Sequence, residues 1–194
     1  MRPHLTRELS ENERPSLLTH FLALDRESRR LRFGGFSGDE SLRAYVKQID
    51  FTRDAVFGVL DADLSVIGVA HLARGAEYAE LGISVLPSHR GQGIAAALLE
   101  RAHTYARNRN ISVLLMHCLA ENAAMIHLAN KQGMQVETGG AASSARVEMQ
   151  PANLSTIASE LMMQRVALFD FALRSNVLAV QQAITGKPPQ QSVQ

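Results

Sequence analysis

The stretch "SHRGQGIAAALLERA", residues 88–102, sets Gly91 and Gly93 between Arg90 and an apolar run with helical spacing. Glycines at a helix start let backbone amides approach an anion closely, and the helix dipole favours negative charge there. The amides of residues 91–95, with the charge of Arg90, therefore read as a seat for a pyrophosphate. Three nucleotide-type ligands carry one: a nucleoside triphosphate, a dinucleotide and coenzyme A. A triphosphate loop needs a lysine and a hydroxyl residue directly after its last glycine, whereas Gly93 is followed by Ile94 and Ala95. The dinucleotide pattern G-x-G-x-x-[GA] is met literally by residues 91–96. Its context is wrong, because Pro87, Ser88, His89 and Arg90 separate the glycines from the preceding strand, and the next apolar strand, "ISVLLMHCL", lacks the acid that would hold a ribose.

The elements that must position this seat can be read from periodicity and turn residues. "HLTREL" alternates as a short strand, and Ser10 with Glu13 has capping-box spacing for a helix running on through "LLTHFLALDRESRRL" to the break at "FGGFSGD". Asp39 can cap a shorter helix, "ESLRAYVKQI". "AVFGVLDADLSVIGVAHLA" reads as a hairpin turning at residues 61–63, and "AELGISVL" is the next strand, stopped by Pro87. Ile94, Leu98, Ala102 and Tyr105 recur as one helix face, then "ISVLLMHCL" forms a strand. Glu121 and Asn122 open another helix that stops near Gly133, and "MQVET" and "ARVEMQ" flank the loop "GGAASS" as closing strands. From Pro151 the character changes: Leu154, Ile157, Leu161, Leu168, Ala172 and Val180 lie at mostly helical spacings, predicting one long helix with a frayed tail after Gly186. Two units are expected, residues 1–150 and a C-terminal extension, 151–194, which either braces the domain or pairs two copies as a homodimer.

Read from Arg90, the same loop is R-x-x-G-x-A, made by Arg90, Gly93 and Ala95, which resembles the acetyl-CoA signature of the GNAT superfamily of N-acetyltransferases. The order of elements over residues 1–150 is similar to that family's, and "ENAAMIHLANKQGM" resembles its N-x-x-A…G-[FM] helix, with Asn122 at the start and Gly133-Met134 at the end. The resemblance implies an α/β (α+β) fold with a mixed, mostly antiparallel sheet, flanked by helices and splayed into a V between the fourth and fifth strands, "AELGISV" and "ISVLLMHC". It also implies that pantetheine lies in that V against backbone near Val85 and Leu86. The phosphates would rest on Arg90, Gly91, Gln92, Gly93, Ile94 and Ala95, and Asn122 would also bind the coenzyme. A weaker likeness links "SRRLRFGG" to acceptor-side segments of bacterial protein-lysine acetyltransferase domains; Arg29, Arg30 and Arg32 equally suit a solvated helix end.

Acetyl transfer needs a neutral amine, and a lysine-like amine of pKa ≈ 10.4 is only about one part in a thousand neutral near pH 7.4. In the family a fourth-strand glutamate often takes the proton through water. Glu80 is favoured for this, sharing a strand face with Gly82 and Ser84; Glu77, at the strand start, is the alternative, and Glu80 could instead pair with Arg32 or Arg74. Where many members carry a tyrosine that protonates the leaving thiolate, seven residues after the asparagine, this chain has Ala129. His127 is turned about 200° from that face, which leaves His117 and Cys118 as nearer donors.

Composition sets the outer limits. The 194 residues, 46% hydrophobic and 20% charged with a net charge of +1, describe a globular chain with no electrostatic case for nucleic acid or membrane. The single cysteine, Cys118, suits a reducing compartment, and neither a membrane span nor a signal-peptide-like stretch is present, so the cytoplasm is the expected location. No metal is called for. The expected function is an acetyl-CoA-dependent N-acetyltransferase acting on a primary amine of a small molecule, peptide or protein lysine. The alternatives are a catalytically weak acyl-CoA-binding domain acting as a regulator or subunit, and an interaction module that uses the C-terminal helix.

Overall fold

The structure, a computed structural model, describes residues 4–75 and 77–185. Seven strands form one sheet in the order β1-β2-β3-β4-β5-β7-β6. They are β1 (Thr6–Leu9), β2 (Ala55–Leu60), β3 (Val66–Arg74), β4 (Tyr78–Val85), β5 (Val113–Leu119), β6 (Gln135–Gly139) and β7 (Ala142–Glu148). Every neighbouring pair is antiparallel except β4 and β5. The helices are α1 (Arg14–Leu22), α2 (Arg26–Phe33), α3 (Asp39–Gln48), α4 (Ile94–Asn108), α5 (Ala123–Lys131) and α6 (Leu154–Thr185).

Period-two alternation splits the buried residues into two cores. Leu81 and Ile83 of β4 join Phe57, Leu72, Leu98, Leu114 and Met116 beneath α4 and α5, while Val56 and Val69 join Leu17, Phe21, Leu42 and Val46 beneath α1 and α3. Gly68 of β3 is the point of closest approach to α4: a Cβ there would stand 2.5 Å from Ile94 Cγ2. The absence of a side chain at Gly68 thus sets how near the sheet the start of α4 can lie.

Three expectations are corrected. The helix expected to run from Ser10 to Leu31 is two helices, because Asp25 Oδ1 accepts the Ser28 amide at 2.7 Å and starts α2 afresh after a break at Ala23. The Ser10–Glu13 box does form, the Ser10 amide donating to Glu13 Oε2 at 2.7 Å, over a single 3₁₀ turn that leads into α1. Asp39 is the first residue of α3 rather than its cap, a place taken by Gly38, and its carboxylate bonds Arg29 at 2.6 Å. The "GGAASS" loop is shorter than expected: β7 already begins at Ala142, pairing with Gly139, so only Gly140, at φ 64, and Ala141 turn the chain.

The long C-terminal helix forms as expected, up to Thr185; the tail after it lies outside the described residues. Helix α6 packs on α4 and β1. Its buried Glu160 reaches Arg101 of α4, which is only 1% exposed, at 3.2 Å, and Arg109 at 2.8 Å, and it accepts from Asn108 Nδ2 at 2.7 Å. Glu8 Oε2 stands 3.8 Å from Arg101 on the other side. None of the Arg101 nitrogens is aligned for a hydrogen bond, so these contacts balance its charge without directing it.

Candidate functional site

Strands β4 and β5 pair only through Tyr78, Ala79 and Glu80 with Val113, Leu114 and Leu115. Beyond Glu80 they part, and the gap opens into a cavity of about 380 Å³. Ile83, Ser84 and Val85 of β4 form one wall, the residues around the start of α4 another, and Asn122, Met125, His127, Leu128 and Lys131 of α5 and its cap a third. Helix α2, which touches both strands, closes the side near Leu24 and Arg32.

The α4 end is built to receive an anion. Gly91 and Gly93 take φ values of +72 and +87, which turn the loop into the helix without a side chain at either place. Helix α4 has no side-chain cap, and the amides of Ile94, Ala95 and Ala96 donate to nothing among the described residues. Arg90, Lys131, His89 and His127 also line the cavity, and among the described residues no carboxylate does. Amides, two permanent cations and the absence of acid suit the phosphates of coenzyme A.

The expected residues are distributed unevenly. Val85, Arg90, Gly91, Gly93, Ile94, Ala95 and Asn122 all line the cavity. Leu86 does not: its amide donates to Ile67 O at 2.9 Å and its side chain packs into the core. Gln92 also faces elsewhere, its carbonyl accepting from His4 Nε2 at 2.8 Å. Asn122 caps α5, accepting the Met125 amide at 3.2 Å, and Arg90 donates to Ser28 Oγ of α2 at 2.6 Å. Glu80 is exposed just before the strands part, on the face of Gly82 and Ser84, and takes part in no ion pair among the described residues, so the pairing with Arg32 or Arg74 does not occur. Ala129 is fully buried in the core, while His127, two residues earlier, faces the cavity among the cations. His117 is exposed and neither it nor Cys118, whose thiol is pushed up by burial, lines the cavity.

Two features escaped the sequence. The first is Ser84–His20. His20 Nδ1 lies 3.0 Å from Val66 O, an atom that only accepts, so the ring proton sits on Nδ1, and Nε2 accepts the Ser84 hydroxyl proton at 2.8 Å. Burial lowers the His20 pKa to about 4, the Val66 carbonyl opposing and the Arg32 charge adding to the shift. A buried base held neutral makes the protein acid-sensitive. The unfolded chain takes up this proton below its ordinary pKa of 6.5, so stability is intact above that pH and falls progressively until pH reaches about 4. The loss attributable to His20 is about 3 kcal/mol, at 1.36 kcal/mol per pKa unit. Urea unfolding across this range should show it, and His20→Gln should flatten the slope; an equal slope in both proteins would remove His20 as the cause.

The second is Arg32, expected at a solvated helix end. It is half-buried instead, its guanidinium lying on Gly82, where any Cβ would overlap it. Arg32 Nη2 donates to the Tyr45 hydroxyl at 2.9 Å, Tyr45 is 2.6 Å from His71 Nδ1, and His71 Nε2 is 3.2 Å from Asp54 Oδ2. Asp54 can only accept, which puts the ring proton on Nε2 and points the Tyr45 proton at Nδ1. Burial lowers the His71 pKa against the pull of Asp54 and raises that of Tyr45, so both stay neutral. Burial opposes ionisation of Asp54, yet donors from Arg53, the Arg74 amide and His71 together hold its carboxyl below the usual range.

Among the described residues no group of His, Cys, Asp and Glu could hold a metal, and no helix is long and apolar enough to cross a membrane. Comparison with known proteins agrees with this architecture. The GNAT domain of S. lividans PAT superposes with a TM-score of 0.64 at 20% identity, over 74% of this chain and 89% of that one. Spermidine N-acetyltransferase from Vibrio cholerae, solved with CoA and spermine, superposes with a TM-score of 0.60 at 23% identity, over 76% and 96% of the two chains. In sequence, the spermidine N(1)-acetyltransferase of Vibrio cholerae serotype O1 is 33% identical over 108 residues, which are 53% of this chain and 61% of that protein's length. Residues 19–134, including α2, the parted strands, the glycine loop and α5, match the model of the acetyltransferase (GNAT) family, and the chain belongs to that family.

Proposed function

We propose that the protein transfers the acetyl group of acetyl-CoA to a primary amine of a small molecule, peptide or protein lysine. The observation that carries this reading is the cavity between β4 and β5, which runs from the amide-rich start of α4 to the part lined by Arg32 and Ser84. The start of α4 fits phosphates, and the length of the parted strands fits an extended thioester arm. Relatives named for acetylating spermidine widen the acceptor panel to polyamines. Acetyl-CoA turnover over a panel of amines, with product masses, tests the proposal. CoA binding with no turnover on any of them would select instead a regulatory acyl-CoA-binding domain, a reading favoured by the missing phenol at Ala129.

Glu80 is the proposed acceptor of the amine proton. It lies exposed, about 7 Å along the strand from Gly82 at 3.3 Å per residue, near enough for one or two waters to connect it to an amine at the inner end of the cavity. Glu80→Gln should leave CoA affinity unchanged while lowering kcat/KM about 10²-fold at pH 7, and the deficit should shrink as pH rises toward the amine's own pKa. A deficit that does not vary with pH, or a larger pH-dependent one in Glu77→Gln, would take Glu80 out of this role.

A homodimer through the C-terminal helix draws its support from α6. Val166, Phe169, Leu173, Val177, Val180 and Ile184 are all exposed, and at 100° per residue they fall within about 80° of the helix circumference. One stripe presented by two copies meets the requirement of a two-fold contact. A monomeric mass in light scattering at micromolar concentration would refute it. A cytoplasmic setting rests on the lone Cys118.

A further inference from the structure

The leaving sulfur needs either a proton or a nearby positive charge, and Ala129 supplies neither. A coenzyme A molecule seated by its pyrophosphate at the α4 end of the cavity carries its sulfur well away from that end, because the extended pantetheine arm separates the pyrophosphate from the thiol. The inner end of the cavity is formed where β4 has just parted from β5. Gly82 is the second residue past the last β4–β5 pair, at Glu80, and the guanidinium of Arg32 rests on it. We propose that Arg32 is a catalytic residue which stabilises the negative charge developing on the sulfur, in place of a phenolic acid. The inference rests on the acetyl-transfer reading above.

Four observations support it. Arg32 lines the cavity. It forms no ion pair among the described residues, so its charge is not spent on a neighbouring carboxylate. Its Nε is buried without a hydrogen-bond partner, and among the described residues only Nη2 donates, to Tyr45. The remaining polar side chain on the β4 wall, Ser84, already gives its proton to His20. Tyr45, His71 and Asp54 act as positioning residues: they fix the fork on Gly82 through two uncharged rings and keep the carboxylate two groups away. A donor held in place before the reaction costs little reorganisation when charge develops.

In the reaction, the lone pair of the neutral amine forms the C–N bond to the acetyl carbon. The C–S bond breaks with its electron pair passing to sulfur, which leaves as a thiolate beside Arg32. Glu80, having taken the ammonium proton through water and released it to solvent, is not needed for the surplus proton on nitrogen, which passes to water. Atoms and charge balance with no further reactant, and the thiolate is protonated later from solvent.

The test is a titration of the CoA thiol bound to the protein, followed by thiolate ultraviolet absorbance. Free CoA titrated in the same buffer gives the reference, and a fixed guanidinium should lower the thiol pKa of the bound molecule by about one unit or more from it. Arg32→Gln should abolish that shift while changing CoA affinity less than about threefold, and should lower kcat about 10²- to 10³-fold. Arg32→Lys should recover part of both effects by restoring charge. Tyr45→Phe, which keeps the ring packing, should give an intermediate shift and covers the case in which Arg32→Gln does not fold. An unshifted thiol in the wild-type complex overturns the proposal, as does an Arg32→Gln deficit confined to acceptors that carry a carboxylate, which would make Arg32 an acceptor anchor. A protein that binds no CoA would instead sink the acetyl-transfer reading itself.

Discussion

Glu160→Gln is expected to lower the unfolding free energy by about 3–5 kcal/mol, the range found when one partner of a buried ion pair is removed. Arg101 is among the largest fully buried side chains, and its nitrogens are unaligned with any acceptor. With Glu160 neutral, only Glu8, at 3.8 Å, faces it, and burial already raises the Glu8 pKa. A buried guanidinium cannot escape by deprotonating, so the cost falls on the fold. The same change removes the carboxylate charge that Arg109 Nη1 meets at both oxygens, 2.8 and 3.0 Å away; the Arg109 head lies 3.6 Å from the centroid of the Tyr105 ring. Urea unfolding at pH 7 measures the effect. The double variant Glu160→Leu with Arg101→Met should recover much of the loss, because two apolar side chains leave no charge behind. A single-variant loss below about 1 kcal/mol would mean that solvent, rather than Glu160, compensates Arg101.

Gly93→Asp is expected to raise the Kd for CoA about 100-fold or more. Gly93 stands at φ +87 immediately before α4, where a non-glycine residue costs about 1–2 kcal/mol. The added carboxylate would also stand at the amides that face the phosphates, and like charges brought together there cost several kcal/mol. Since about 1.4 kcal/mol is tenfold in affinity, the charge is the larger part. Gly93→Asn separates the two contributions, because it makes the same backbone demand with nearly the same volume and no charge, and it should lose no more than about 10-fold. Calorimetric titration of folded variants decides the matter. If Gly93→Asp binds CoA as the wild type does, the phosphates lie elsewhere.

Local features were legible in the sequence because local residues cause them. The glycines at 91 and 93 announce positive φ values, Asn122 announces a helix start, and the apolar run "ISVLLMHCL" announces a strand, of which only Leu114 and Met116 are buried. The break at Ala23–Asp25 was missed because the apolar pattern continues through it and the capping acid also fits a helix interior. The cavity's outer wall followed from the motif, whereas its inner end did not. Arg32, Tyr45, His71 and Asp54 come from α2, α3, β3 and the loop before β2, and no spacing rule links them. A weak signal existed at Gly82, a glycine inside a strand that makes no turn. Such a position often marks a close approach by another group, here a guanidinium. His127 was expected to point away from the site because it is turned from Ala129; it lines the cavity instead, while Ala129 is buried, since the direction each faces depends on where α5 docks, which helical periodicity alone does not fix.

The partnership of Arg101 with Glu160 also imposes an order in time. During synthesis the chain carries Arg101 out well before Glu160, and at about 5–20 residues per second the interval is several seconds. Over that interval the face of α4 that α6 will cover has only Glu8 to offer a charge that cannot be shed. The nascent chain therefore gains little by seating Arg101 early. Helix α6 is the element that lets α4 close onto the sheet, and the start of α4 carries the glycine loop, so competence to bind at that loop arrives only after Glu160 has been made.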